Sequence, residues 1–412
     1  MRIAIIGTGI SGLGAAYLLT PHHDITVYEA APRPGGHART IDVPGVGPVD
    51  TGFIVCNDRT YPNLLGLFGR LGAARTKADM AFGVSLGGGA LEYSSSAPFA
   101  QAGTLARPSH WAMLRDILRF NRAAPRWRDA PPEVTLGDML AALRLSRAFA
   151  RRYLLPMAAA IWSTPVARIA GFPAAAFVRF FEGHGLLTLL RQPQWYSVAG
   201  GSRTYVERIV GPLGARVRLS CAATRLEPSG SGWVVHDARG GADAYDAVVL
   251  ACHPDQALAL IAAPTEAEAR VLGAFTYQDN ALVVHSDAAL MPRRRAAWAS
   301  WVYLSDDLEG DDRPRVSLTY WMNALQDLPA GKDIFVTLNP ARPPRAETVY
   351  DRHTFRHPRF DAPALRAQGE VGAIQGARGL WFCGAWQRHG FHEDGLWSAV
   401  RVARALGARV PW

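Results

Sequence analysis

The chain is nearly without lysine. Of its 44 basic residues only Lys77 and Lys332 are lysines, the rest being arginine, so chemistry that needs a lysine amine has two addresses and no more. Cysteine is scarce too. Cys56, Cys221, Cys252 and Cys383 lie far apart with no CxxC pair, which argues against a disulfide framework or a zinc site and suits reduced thiols. No metal site is expected. No apolar run reaches the roughly 18 residues that a membrane span needs, and the nearest, Leu154 to Ile161, is short and holds Pro156. The chain enters a strand directly, without a basic leader or cleavage site, so a cytoplasmic protein is expected. Acidic residues are fewer than basic ones, giving a net charge of +9. With alanine, glycine and proline abundant, the arginine excess reads as coding bias. Nucleic acid is not an expected partner; a mild preference for anionic surfaces remains. At 412 residues and 49% hydrophobic content, the chain is long enough for two domains with large cores.

What the sequence does have begins at residue 2. Ile3 to Ile6 is a β-branched apolar run that reads as a buried parallel strand. It ends in Gly7-Thr8-Gly9-Ile10-Ser11-Gly12, after which apolar residues recur at helical spacing. A second strand, Ile25 to Tyr28, closes on Glu29. Gly7 permits a tight turn, Gly9 lets backbone approach a pyrophosphate, and Gly12 lets helix and strand pack closely. Ile10 and Ser11 start the helix whose free N–H groups face the phosphates. Glu29, about twenty residues on, can accept from both ribose hydroxyls of an adenosine, with Ala30 beside it. Then comes Arg33-Pro34-Gly35-Gly36-His37-Ala38-Arg39-Thr40, two adjacent glycines among basic residues, a pattern that brings N–H groups and cations to a diphosphate together.

These stretches resemble the flavin amine oxidase superfamily, which includes monoamine oxidases and phytoene desaturases. Arg33, Gly35, Gly36 and Thr40 match its RxGGRxxS/T-type segment, with His37 where arginine is usual and Arg39 close by. Val49-Asp50-Thr51-Gly52-Phe53-Ile54 matches its D-x-G stretch, which implies that Thr51, Gly52 and Phe53 lie beside a flavin. The resemblance makes FAD the expected cofactor and assigns the backbone of Val217 to the adenine. It also puts Gly384, Asp394, Gly395 and Leu396 in the strand–loop–helix that meets the N1–C2=O edge of the flavin, although Ala385 stands where the family usually has an acid. The implied fold is α/β: a Rossmann-type FAD-binding domain of the amine oxidase/glutathione-reductase kind with an α+β second domain. The FAD-binding domain is expected over 1–75, 195–268 and 350–412. The substrate domain is expected over 76–194, largely helical, and 269–349, an antiparallel sheet around an acidic loop (Ser305 to Asp312).

In the middle of the chain, Trp111 to Arg122 reads as a basic amphipathic helix. Trp111, Met113, Leu114, Ile117, Leu118 and Phe120 occupy half of the wheel, and Arg115, Arg119 and Arg122 the other half. Packing on the core and peripheral contact with the inner face of a membrane both fit that pattern. Phe177, Phe180, Phe181, Leu186 and Leu187 read as core in preference to a channel lining, and His184 as a turn marker. Tyr320, Trp321 and Asn323 fit either a substrate pocket over the flavin or plain cross-strand packing. Trp386 is the one aromatic near the place where the superfamily holds a substrate.

Many amine oxidases of the superfamily place a lysine, through a water, at the flavin N5, and neither Lys77 nor Lys332 stands in a matching motif. The stretches VDTGFIVCNDRTYPNL, YLLPMAAAIWSTP and FCGAWQRHGFHEDGL resemble a bacterial branch whose genes commonly neighbour cyclopropane-fatty-acid-synthase-like methyltransferases. That resemblance implies oxidation or desaturation of an unsaturated or methyl-branched fatty acyl chain, free or in phospholipid, with O2 or another acceptor taking the electrons. His389, His392 and Glu393 are the candidate bases by position. The alternatives are a flavin-dependent double-bond isomerase, an amine oxidase, and a non-catalytic FAD- or lipid-binding partner of a lipid methyltransferase.

Overall fold

The computed structural model describes residues 1–131, 133–162, 166–188, 192–308 and 317–412. At its centre is a five-stranded parallel sheet in the order Val217–Arg218, Asp24–Tyr28, Arg2–Ile6, Ala247–Leu250, Leu380–Phe382. Side chains alternate across a strand, and both faces are apolar here. Ile3, Ile5, Val27 and Val249 meet the helices Ile10–Leu19 and His392–Ala405 on one side. Ala4, Ile6, Val248 and Leu250 meet a three-stranded antiparallel meander, Ala223–Ser229, Gly232–Asp237 and Ala242–Tyr245, on the other. This is why the strands read as continuous hydrophobic runs.

The second body is a seven-stranded sheet in the order Val349–Pro358, Tyr277–His285, Phe335–Leu338, Leu318–Trp321, Trp301–Ser305, Phe82–Leu86, Leu91–Ser94. Helices between Pro108 and Gly183 cover its inner face. Two expectations change. The sheet is mixed, because Trp301–Ser305 pairs in parallel with Phe82–Leu86 from more than two hundred residues earlier. And Val349–Pro358, expected in the FAD-binding part, hydrogen-bonds along Tyr277–His285. From residue 309 onward the expected acidic loop lies outside the described residues. No helix among the described residues is long and apolar enough to cross a membrane.

Asp50 fastens the two bodies together. Its fully buried Oδ1 accepts from Thr40 Oγ1 (2.6 Å), Ser202 N (2.8 Å) and Ser202 Oγ (2.7 Å), while Gln326 Nε2 donates to Oδ2 at 3.2 Å. The Asp50 N–H in turn donates to Gln326 Oε1 at 2.9 Å. Asp50→Ala strands several buried donors at once, each costing about 1–3 kcal/mol. The variant is expected to lose roughly 3 kcal/mol or more and to melt several degrees lower. A melting temperature within one degree of the parent would show that the network stabilises nothing.

Candidate functional site

The strand Arg2–Ile6 ends at Gly7, whose φ of +104° is open to glycine. Gly9 caps the helix Ile10–Leu19, and no acid stands in its first turn. The first N–H groups of a helix have no partner within it and carry the positive end of its dipole, so this end is prepared for an anion. The glycines divide the work. A Cβ on Gly12 would lie 1.9 Å from the Gly7 carbonyl oxygen, whereas one on Gly9 meets nothing within 4 Å. Gly12 is therefore a packing glycine, and Gly9 faces open space. Gly36, at φ +56°, closes the other side, its Cβ position 3.0 Å from Gly9 Cα. The Gly35 N–H donates to Thr8 O (3.1 Å), fixing one loop on the other.

Glu29 sits at the end of the neighbouring strand. Its carboxylate accepts from Thr8 N (2.9 Å), Thr8 Oγ1 and Ala31 N (2.8 Å), and a carboxylate has further acceptor capacity for a ribose. Val217 pairs with Val27, two residues before Glu29, and Glu29 N donates to Arg218 O. Arg33 is half-buried next to Gly36, donating to its carbonyl at 3.1 Å; burial and the Arg39 charge lower its pKa. Arg39 itself pairs with Asp351 at 2.7 Å, which points its charge at the seven-stranded sheet.

His37 stacks on Phe355 with centroids 4.5 Å apart, and its Nε2 is buried without a partner. Burial and neighbouring histidines push its pKa well below the usual value, so the ring is neutral. Thr51-Gly52-Phe53 lies tight against it: Phe53 N donates to His37 O, and a Cβ on Gly52 would come within 2.2 Å of that oxygen. From the other end of the chain, the helix His392–Ala405 meets the first helix where Gly395 faces Ile10 and Ser11, and Leu396 faces Gly14. The two helix starts thus converge on one region. Gly384 N is held by Ser398 Oγ at 2.8 Å, keeping the last strand against that helix. An open glycine face, an acid-free helix start, an acceptor carboxylate and an orphaned imidazole nitrogen fit a dinucleotide such as FAD.

Beside this cradle is a cavity of about 130 Å³, whose walls include Phe180, His184, Arg388, His389, Phe391 and Asp394. Phe180 stacks on His184 (3.9 Å) and on Phe391 (5.2 Å). His184 Nδ1 lies 2.9 Å from Phe180 O and must donate there. Burial pushes both His184 and His389 down to about 4, helped by the Arg388 charge. Asp394 Oδ2 accepts from Phe391 N (2.9 Å) and His389 N (3.2 Å), its Oδ1 lies 3.7 Å from Arg388, and burial lifts its pKa to about 6.

Of the candidate bases, only His389 presents a ring to this cavity without another evident duty. Glu393 also reaches the wall, but its carboxylate caps the helix Pro62–Leu71, accepting from Asn63 N, Asn63 Nδ2 and Leu64 N. His392 is stacked on Phe53 (3.8 Å, 9°) and bonded through Nε2 to the Tyr205 hydroxyl at 2.7 Å. The four expected pocket residues are scattered. Tyr320 packs against the inner core. Trp321 projects from the opposite face, where Nε1 donates to Asp333. Asn323 closes a loop between Lys332 O and Ile334 N. Trp386 packs edge-on to Phe275 behind the parallel sheet. Sequence reasoning missed Phe180, His184, Arg388 and Phe391. The available signal was the i,i+4 spacing of Phe180 and His184, which puts both rings on one helix face. Lys77 and Lys332 are both exposed and away from the cavity lining.

A family model for "Flavin containing amine oxidoreductase" matches residues 10–280. The Mycobacterium tuberculosis protein AofH, provisionally assigned as a flavin-containing monoamine oxidase, is 29% identical over 268 residues, covering 63% of this chain. The chain spans 58% of the length of that curated relative. Among solved structures, a fatty acid isomerase from P. acnes that produces CLA superposes with a TM-score of 0.70 at 17% identity, covering 98% of both chains. Cyclohexylamine oxidase from Brevibacterium oxydans does so at 0.70 and 16%, covering 98% of this chain and 99% of its own. At such identities these likenesses establish the fold.

Proposed function

The chain belongs to the flavin containing amine oxidoreductase family, with FAD as its cofactor, and from that premise we propose that it oxidises an unsaturated or methyl-branched fatty acyl chain. The observation that carries this reading is the cavity beside the cradle. Its walls include the stacked pair Phe180 and Phe391 and two neutral histidines, and no lysine lies near it. Aromatic faces hold an apolar chain through contact area. The two carboxylates on the wall are both engaged, Glu393 by Asn63 and Leu64 and Asp394 by the facing Arg388, which leaves a cationic amine no free counter-charge.

When bound, FAD supplies the acceptor for a hydride, and O2 or another oxidant takes the electron pair onward. The residues of this chain do the rest. Glu29, Arg33 and the two helix starts hold the cofactor's ribose and diphosphate. Phe180 and Phe391 orient the acyl chain and exclude water. Forming a carbon–carbon double bond releases a proton as well as a hydride, and that proton needs a base. Asp394, with a pKa near 6, and neutral His389 are the groups placed to take it. A redox-neutral double-bond isomerisation is the second reading, favoured by the end-to-end likeness to a fatty acid isomerase. Product mass separates the two, since desaturation removes two hydrogens.

The test is an anaerobic spectrum of the holoprotein mixed with unsaturated or methyl-branched acyl lipids, and separately with simple amines. Bleaching of the visible flavin band by lipid alone, with a product two hydrogens lighter, is expected. Bleaching by amines alone would return the protein to amine oxidation. No bleaching but a shifted double bond would favour the isomerase, and no change of any kind would favour a non-catalytic binding partner.

A further inference from the structure

The helix expected at Trp111 to Arg122 runs over Pro108–Ala123, and it divides its apolar residues in a way the wheel did not foresee. His110, Met113, Asp116 and Phe120 face inward and are buried. Trp111 and Leu118, counted with the inward half on the wheel, stand out in solvent at 50% and 56% exposure, and Leu105 beside them is 56% exposed. These are three of the five large hydrophobic side chains exposed among the described residues, the others being Met1 and Leu308. At about 100° per residue, Trp111, Arg115, Leu118 and Arg122 fall within a ~60° arc. One stripe therefore carries two apolar groups and two arginines.

The stripe is held in place. The Trp111 indole donates to Leu105 O at 2.9 Å and leans on Phe99 with centroids 5.0 Å apart. The acid at its foot is internally satisfied: buried Asp116 accepts from Arg119 (2.8 Å), Arg115 (3.3 Å) and Ser146 N (2.7 Å). Around it the sequence is one-sided, with ten arginines against four acids between residues 101 and 152. From the inner face an aromatic column runs toward the cavity: Phe120 meets Phe177 (6.5 Å), Phe177 stacks on Phe181 (4.1 Å), and Phe181 touches Phe180 (6.3 Å).

We propose that the outer stripe of Pro108–Ala123, with Leu105, is a peripheral docking surface for an anionic lipid bilayer. Exposed Trp and Leu sit at the headgroup–acyl boundary while the flanking arginines pair with lipid phosphates, the arrangement of an interfacial helix. Charge complementarity selects this occupant over an apolar protein groove, which would have to desolvate the exposed guanidinium groups of Arg115 and Arg122. The assignment stands whether or not the substrate is a lipid.

The experiment is co-sedimentation of the holoprotein with vesicles of phosphatidylcholine alone or mixed with phosphatidylglycerol. The mixed vesicles are expected to bind at least about tenfold more protein, and salt at about 0.5 M to reverse most of that gain. Trp111→Ser with Leu118→Ser is expected to cut binding about tenfold or more while leaving flavin content at the parental value and lowering the melting temperature by a few degrees at most. Equal binding to both vesicles, no binding to either, or unchanged binding by the double variant would overturn the proposal. So would a lipid-free dimer that the same variant dissolves, since the stripe would then be a self-interface.

Discussion

Between pH 6.5 and 4 the protein is expected to lose its folded state. Burial holds His184, His253, His285, His357 and His389 down at about 4 and His392 at about 3. In the unfolded chain each returns to about 6.5. Over that window the unfolded state therefore binds more protons than the folded one, and stability falls as the pH falls. His285 shows why the folded rings resist. Its Nδ1 accepts the Asp287 N–H at 3.1 Å, leaving no lone pair for a proton, while its Nε2 bonds Thr337 Oγ1 at 2.7 Å in a site with no exposure. Asp50 and Asp394 act in the opposite sense. Raised to about 6, they take up protons in the folded chain first and gain stability on acidification. Each shift of two units or so is worth roughly 3 kcal/mol at full effect, so two carboxyls are outweighed by six histidines. The net loss, on the order of 12 kcal/mol, falls within the roughly 5–15 kcal/mol that usually keeps a protein folded, so protonating most of the set suffices. Near-ultraviolet circular dichroism followed from pH 7.5 to 4 is expected to show a cooperative loss below pH 6.5. Full retention of the signal at pH 4 would rule this out.

Gly12→Ala is expected to yield a protein without flavin and with sharply reduced stability. The added methyl would stand 1.9 Å from the Gly7 carbonyl oxygen and 3.3 Å from Ala251 Cβ. Backbone cannot rotate away as a long side chain can, so the helix Ile10–Leu19 must lift off the sheet. We expect about 3 kcal/mol or more to be lost. Gly9→Ala separates this packing effect from cofactor contact. Gly9 already has φ −62° and ψ 175°, and its Cβ position meets no atom within 4 Å. The apoprotein is expected to melt at the parental temperature, with FAD affinity weakened about tenfold or more, or ~1.4 kcal/mol. Absorbance ratio and thermal melts of the two variants decide the matter. A Gly12→Ala protein that is yellow and stable would show that the helix accommodates the methyl, and a Gly9→Ala protein with unaltered FAD affinity would show that the phosphates lie elsewhere.

The cofactor cradle was legible in the sequence because its residues are contiguous and each has a local backbone task. Gly7, Gly9, Gly12, Glu29 and Gly36 announce a turn, a helix start and an acid within forty residues. The cavity was not legible, because its walls come from Thr60, Phe180 and Phe391 on three separate segments. Local periodicity cannot distinguish a phenylalanine that faces a cavity from one that faces the core, and Phe180 is 3% exposed either way. Glu393 was misleading for a related reason: a carboxylate near the expected flavin edge reads as a base until its partners Asn63 and Leu64, more than three hundred residues away, are seen. The polar run Val349–Pro358 was likewise silent about which sheet it joins.

The order of strands in the parallel sheet also bears on how the molecule comes into being. Arg2–Ile6 lies between Asp24–Tyr28 and Ala247–Leu250, and Leu380–Phe382 completes the far edge. The helix His392–Ala405, which covers one face, follows later still. A ribosome adding about 5–20 residues per second needs roughly 20–80 s between the first of these strands and the last. Throughout that interval Ile3, Ile5, Leu13 and Ala16 lack the apolar surface that finally buries them. Nascent chains are therefore expected to depend on chaperones that shield hydrophobic segments, and truncations before Leu380 to be captured by them.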